Sequence, residues 1–140
     1  MIRVLLDTNI VLDVLLDRQP WSNQASKVWH AHLANQIAAH ITATTITDVF
    51  YVARRHAGRE QAKRAIHACL DQLYIIAVGA AELQSAATLG GPDFEDCLQI
   101  SCAMAANLDV IVTRDPHGFV SSEVEAIEPE ELLNRLAPGS

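Results

Sequence analysis

Short apolar runs alternate along this chain with stretches of helical pattern, and that alternation restricts the fold more than any other feature. Ile2 to Leu6, Leu73 to Val78 and Val110 to Thr113 are runs of strand length, and further strands are predicted near His40 to Ala43 and over Val124 to Ile127. Between them lies Ile10 to Leu16, too apolar all round for a surface helix, and Ser22 to Ala34, which sets Ala25, Val28, Trp29, His32 and Leu33 on one stripe. Thr44 and Thr45 offer cap chemistry for a helix running through Asp48, Phe50 and Tyr51 to about His56. Gly58 separates that helix from another over Glu60 to Leu70. Helices over Ala80 to Leu89 and Phe94 to Asn107 flank the break Gly90-Gly91-Pro92, and a closing helix starts at Pro129. Strands alternating with helices imply an α/β sandwich around a mainly parallel sheet of about five strands. Such sheets place their sites at the carboxyl ends of the strands.

At 140 residues the chain has the length of one domain, expected over residues 1–136 with a loose tail at 137–140. No apolar run approaches the roughly 20 residues needed to span a bilayer, and no leader precedes the first strand, so a cytoplasmic protein without membrane contact is expected. Cys69, Cys97 and Cys102 are odd in number, lack Cys-x-x-Cys spacing and sit among apolar neighbours, which predicts buried structural thiols in a reducing compartment. His30 and His32, the closest histidine pair, would face opposite ways on a helix, so zinc is not supported. The net charge of −7 argues against indiscriminate nucleic-acid binding through a basic surface. The cations are nonetheless clustered: Arg54, Arg55, Arg59, Lys63 and Arg64 fall within one short segment, and Arg55, Arg59 and Lys63 are spaced to share a helix face. That face is either merely solvated or a stripe for phosphates.

Four acidic loci fall at strand ends or helix starts. Asp7 ends the first strand, Asp48 lies in the opening turn after the second, Asp93 and Asp96 open the helix before the fourth, and Asp115 follows the fourth. Each alone has a plain explanation. Acids at a helix start complement the macrodipole, Thr45 to Asp48 resembles a capping box, and Asp115-Pro116-His117-Gly118 is an ordinary turn. Their joint placement at one sheet edge does not reduce to these. Two carboxylates ~4 Å apart repel by about 4 kcal/mol at an effective dielectric of 20, so a converging set calls for a counter-charge. Carboxylates without Cys or His suit a hard ion, Mg²⁺ or Mn²⁺, and such an ion with its waters fits hydrolysis of a nucleic-acid backbone.

The segments Leu5-Leu6-Asp7-Thr8-Asn9-Ile10, Asp93-Phe94-Glu95-Asp96-Cys97-Leu98-Gln99 and Val110-Ile111-Val112-Thr113-Arg114-Asp115 resemble, in this order, the signature blocks of the PIN-domain nucleases, including the VapC-type toxins of toxin–antitoxin pairs. The likeness runs from about Val4 to Leu133. It implies a three-layer α/β/α domain, Mg²⁺ or Mn²⁺ held by an acidic quartet, and endonucleolytic cleavage of RNA. Under this resemblance Asp7, Asp48, Asp96 and Asp115 are the catalytic acids. Asp7 and Asp96 hold the ion, Asp115 supports it or a second one, and Asp48 and Asp93 orient the attacking water. Asn9 and Thr113 match accessory polar positions, and Glu95 is expected to face solvent. Where the family usually has Glu after the second strand, this chain has Asp48, one methylene shorter. Arg114 and the segment from Arg54 through Arg55, Arg59 and Lys63 are the candidate RNA contacts. The resemblance also admits an antitoxin protein placing a basic residue in the pocket, and the high apolar content is compatible with a homodimer.

Two other readings have identifiable signatures. An aspartyl-phosphate hydrolase would need an acid two residues after Asp7, where Asn9 stands, and a late lysine, whereas the last is Lys63. A catalytically weak or inactive module of the same fold, binding RNA or protein, would be distinguished by the absence of metal-dependent cleavage.

Overall fold

The first strand shows how the sheet is built. In the computed structural model, which describes residues 1–138, β1 (Ile2–Leu6) is fully buried from Val4 onward and pairs on both sides. Val4 and Leu6 face one apolar cluster and Leu5 the other, so the run needs apolar residues on both faces. The chain continues through α1 (Thr8–Leu15), α2 (Ser22–Leu33), β2 (Ile37–Thr42), α3 (Ala43–Ala57), α4 (Arg59–Gln72), β3 (Tyr74–Ile76), α5 (Ala80–Leu89) and α6 (Phe94–Ala105). It closes with β4 (Val110–Val112), a 3-10 turn (Pro116–Phe119), β5 (Glu125–Ile127) and α7 (Pro129–Leu136). The five strands lie in the order β3-β2-β1-β4-β5, and every neighbouring pair is parallel.

One face of this sheet packs Val4, Leu6, Val110 and Val112 against α1, α2, α3 and α4, with Leu132 of α7 joining them. The other packs Leu5 and Ile111 against Ile100 and Ala103 of α6, together with Phe119 and Val124. This is a three-layer α/β/α arrangement. The chain runs outward from β1 to β2 and β3, then returns to place β4 on β1's other side. The carboxyl end of β1 is therefore where the strand order reverses, the usual place for a cleft in such sheets.

Several boundaries differ from expectation. The second strand starts at Ile37, because the buried residues Ile37, Ala39 and Ile41 include an alanine too small to signal a strand. Thr42, not Thr44 or Thr45, caps α3 by accepting from the Thr45 N–H at 3.3 Å. Asp48 consequently stands in the second turn, and the capping-box reading fails. The third strand is shorter than Leu73 to Val78, as an edge strand paired only with β2. Gly58, with φ 87°, ends α3 and begins α4, so Arg55 is separated from Arg59 and Lys63 by a break and shares no continuous helix face with them. Leu33 is half exposed instead of lying on the buried stripe of α2. All three cysteines are buried and unpaired, and no helix among the described residues is long and apolar enough to cross a membrane. Of the expected tail, Gly139 and Ser140 lie outside the described residues.

Candidate functional site

Asp7 follows β1 directly, and its N–H still bonds the Val112 carbonyl at 3.0 Å, so the sheet fixes its backbone. It occupies the N-cap position of α1, yet its side chain caps nothing. The carboxylate instead accepts from the Thr113 hydroxyl, Oγ1 to Oδ2 at 2.8 Å. The same buried hydroxyl accepts from the Asp115 N–H at 3.1 Å, so one threonine at the end of β4 ties two acids 108 positions apart in sequence. Burial pushes the Asp7 carboxyl above its ordinary range, while Thr113, a backbone N–H and the nearby Arg114 charge pull it back.

On α6, Asp93 is the N-cap and accepts from the Asp96 N–H at 3.0 Å, so the helix-electrostatic explanation of this acid is correct as far as it goes. Asp96 has no such duty. Burial, then the charges of Asp93, Asp7 and Asp115, raise its carboxyl to about 6. The 3-10 turn after Asp115 makes room for it: a Cβ on Gly118 would lie 2.9 Å from Asp96 Oδ2 and 3.9 Å from Asp115 Oδ2. Gly118 is thus the bare floor on which both carboxylates rest.

Asp48 belongs to a second, outer group. Its partner is Glu95, which is exposed as expected but leans along the cleft wall: its Oε1 accepts from the Thr8 hydroxyl at 3.3 Å. Burial first, then a hydrogen bond and charge from Asp48, push the Glu95 carboxyl up to about 7. Beneath them Thr8, Thr45, Thr42 and Thr44 form a chain of hydroxyl contacts of 2.9 to 3.2 Å that joins the starts of α1 and α3.

Asp7, Asn9, Asp48, Tyr51, Asp93, Glu95 and Asp96 thus line one cleft of about 360 Å³, with Asp115 against its inner end. In the present rotamers no three His, Cys, Asp or Glu side chains among the described residues close on one point at ligating distance. Burial first, and then the charges of neighbouring acids, raise Asp7, Glu95 and Asp96. A larger cavity, about 610 Å³, lies between the end of α1 and the α3–α4 pair, but Leu15, Leu16, Arg18, His56 and Arg64 on its walls offer no converging acids.

The expected cations are not in the cleft. Arg54 and Arg55 are exposed at the end of α3, Arg59 and Lys63 are exposed on α4, and Lys63 lies 3.8 Å from Glu60. Arg114 does stand beside the acids, but its Nε lies 3.0 Å from the buried Asp13 and its guanidinium stacks over Trp21 at 3.9 Å. Sequence reasoning missed Asp13, Arg18, Thr8, Tyr51, Glu95 and Gly118. Only the alternation of Asp13 with apolar residues inside a buried helix offered a signal, since an acid there must find a cation.

A family model described as the PIN domain matches residues 3–117. No curated protein matches. Among solved structures, the chain resembles VapC20 of Mycobacterium tuberculosis, described as a sarcin-ricin loop cleaving toxin, at 12% identity and TM-score 0.65, covering 77% of this chain and 86% of that one. It also resembles a chain of the DNA-bound VapBC of Salmonella typhimurium (15%, TM-score 0.71, 92% and 99% covered) and a toxin–antitoxin complex from Klebsiella pneumoniae (18%, TM-score 0.68, 90% and 97% covered).

Proposed function

Since this chain belongs to the PIN domain family, we propose that it is a metal-dependent endoribonuclease acting as the toxin of a toxin–antitoxin pair. The observation that carries the reading is the convergence of Asp7, Asp93, Asp96 and Asp115 from separate elements onto one sheet edge, where burial and like charges raise Asp96 to about 6. A site that makes its own carboxylates reluctant to ionise gains from a cation.

The donor set fits Mg²⁺ or Mn²⁺: carboxylate oxygens without thiolate or imidazole, on a floor kept clear by Gly118. Asp7, Asp96 and Asp115 would hold the ion, which supplies when bound an activated water and a counter-charge for the leaving oxygen. Thr113 keeps Asp7 and Asp115 in register by donating to one and accepting from the other. Asp93 spends one oxygen on the α6 cap and keeps the second for water. Glu95, raised by burial and by Asp48 beside it, stands with Asp48 at the outer end of the cleft, where the longer Glu95 makes up the reach that Asp48 lacks. The toxin–antitoxin complexes among the structural neighbours support an antitoxin protein as partner.

An RNA-binding module without turnover is the second reading, favoured by the separation of Asp48 and Glu95 from the inner acids. One experiment separates the two: incubating structured RNA with purified, partner-free protein in Mn²⁺ and in EDTA, with Asp96→Asn alongside. Cleavage that requires both the ion and Asp96 is expected. Intact RNA in every lane, with RNA still bound, would favour the silent module.

A further inference from the structure

Asp13 is fully buried in α1, yet its carboxyl lies against two guanidinium groups. A buried ion pair is weak evidence for stability, because desolvation consumes much of what the pairing returns. What this carboxylate does uniquely is divide itself between two arginines distant in sequence. Its Oδ1 accepts from Arg18 Nε at 2.9 Å, and its Oδ2 lies 3.0 Å from Arg114 Nε, a close ion pair whose N–H points off the oxygen.

Arg18 commits its Nε to Asp13, whereas Arg114 pairs with it by charge alone, so Nη groups of both remain for other acceptors. Arg18 turns that edge back along α1, donating from Nη2 to the Asn9 carbonyl at 3.3 Å and to Asn9 Oδ1 at 3.1 Å. Asn9 lines the acid cleft. Arg114 stands between Thr113 and Asp115, is close enough to lower Asp7, and is held flat against Trp21. About a quarter of each arginine side chain remains exposed, 27% and 24%. Arg18 thus reaches the acid cleft through Asn9, with its other side on the larger cavity beside α3 and α4, and Arg114 stands beside the acids, whereas Arg54, Arg55, Arg59 and Lys63 are exposed outside the cleft.

We propose that Asp13 is a positioning residue that sets Arg18 and Arg114 as a paired clamp for the RNA phosphates flanking the acid cleft. The inference rests on the nuclease reading for its substrate class. A guanidinium edge matches two phosphate oxygens at once, and a prearranged pair loses little side-chain freedom on binding. It also gives an acidic cleft the cationic border a polyanion needs.

Binding is measured by fluorescence anisotropy of a labelled short single-stranded RNA, in an Asp96→Asn background so that the RNA stays intact, across roughly 50 to 200 mM salt. Arg18→Gln and Arg114→Gln should each weaken binding roughly three- to tenfold and lower the salt slope by about one. Arg114→Lys should restore the slope but only part of the affinity. Asp13→Asn decides the positioning role, because it makes the protein one charge more positive: a diffuse cationic surface would bind tighter, whereas a released clamp binds more weakly. Unchanged binding in both arginine variants, or tighter binding in Asp13→Asn, overturns the proposal and leaves the cluster as a latch between α1 and the Glu128 to Glu130 segment beside it. If Asp13→Asn fails to fold by circular dichroism, the arginine variants decide. No RNA binding in the parent overturns both readings. Clamp behaviour in a wild type that never cuts overturns only the nuclease.

Discussion

Glu95 and Gly118 show what single residues contribute that their neighbours in sequence do not announce. Asp7, Asp96 and Asp115 were legible because a strand end or helix start fixes where an acid points. Glu95 was not, since its direction is decided by Thr8 and Asp48 on other helices. Gly118 read as a turn residue, but its use is to lack a Cβ. Its φ is not in the left-handed region, so the backbone accepts alanine. Gly118→Ala should keep stability within about 1 kcal/mol while displacing the flexible Asp96 carboxylate, and cleavage should fall on the order of ten- to a hundredfold. Kinetic assay beside thermal melting checks this. The raised carboxyls also set a pH response. A carboxyl whose folded value exceeds its unfolded one binds protons more readily when folded, so stability grows as pH falls through the folded value and is lost as pH rises through it. With Asp96 near 6 and Glu95 near 7, the metal-free protein should melt at higher temperature as pH is lowered from about 8 to about 5. Asp96→Asn should flatten part of that rise.

Among the elements, the apolar periodicity located every helix and strand, and their joints were where it failed. A pattern of side chains says which face is buried, not which hydroxyl accepts the first free N–H. Thr42 won over Thr44 and Thr45 because it ends β2 in an extended conformation, with φ −80° and ψ 154°, whereas the other two are already inside α3. Thr45 remains important for another reason. Its hydroxyl bridges Thr8 and Thr42 with no exposure to water. Thr45→Val, nearly equal in shape, leaves buried partners unsatisfied and should cost about 1–3 kcal/mol. Urea unfolding checks it, with an unchanged m-value expected.

For the molecule as a whole, alternation of strand and helix gave the layers, while strand order could not be read locally. The order emerges because β1, apolar on both faces, takes the centre with the fully buried β4 beside it, and the partly exposed β3 and β5 take the edges. That centre brings acids from both halves together, so occupancy of the site by Mn²⁺ should stabilise the entire fold. At a hundredfold excess over Kd the gain is about 2.7 kcal/mol by mass action, several degrees in melting temperature for a chain of this size. A flat melting curve in millimolar Mn²⁺ would count against the ion site without touching the fold.

The hydroxyl of Thr113 donating to Asp7 has a consequence for biosynthesis. A growing chain presents Asp7 as soon as it leaves the ribosome, but β4 must emerge and pair with β1 before Asp7 gains its partner or Asp115 its place. Until residue 115 has cleared the exit tunnel, the nascent polypeptide carries an incomplete set of acids. Under the proposed nuclease function, the acid site cannot assemble before most of the chain has been made.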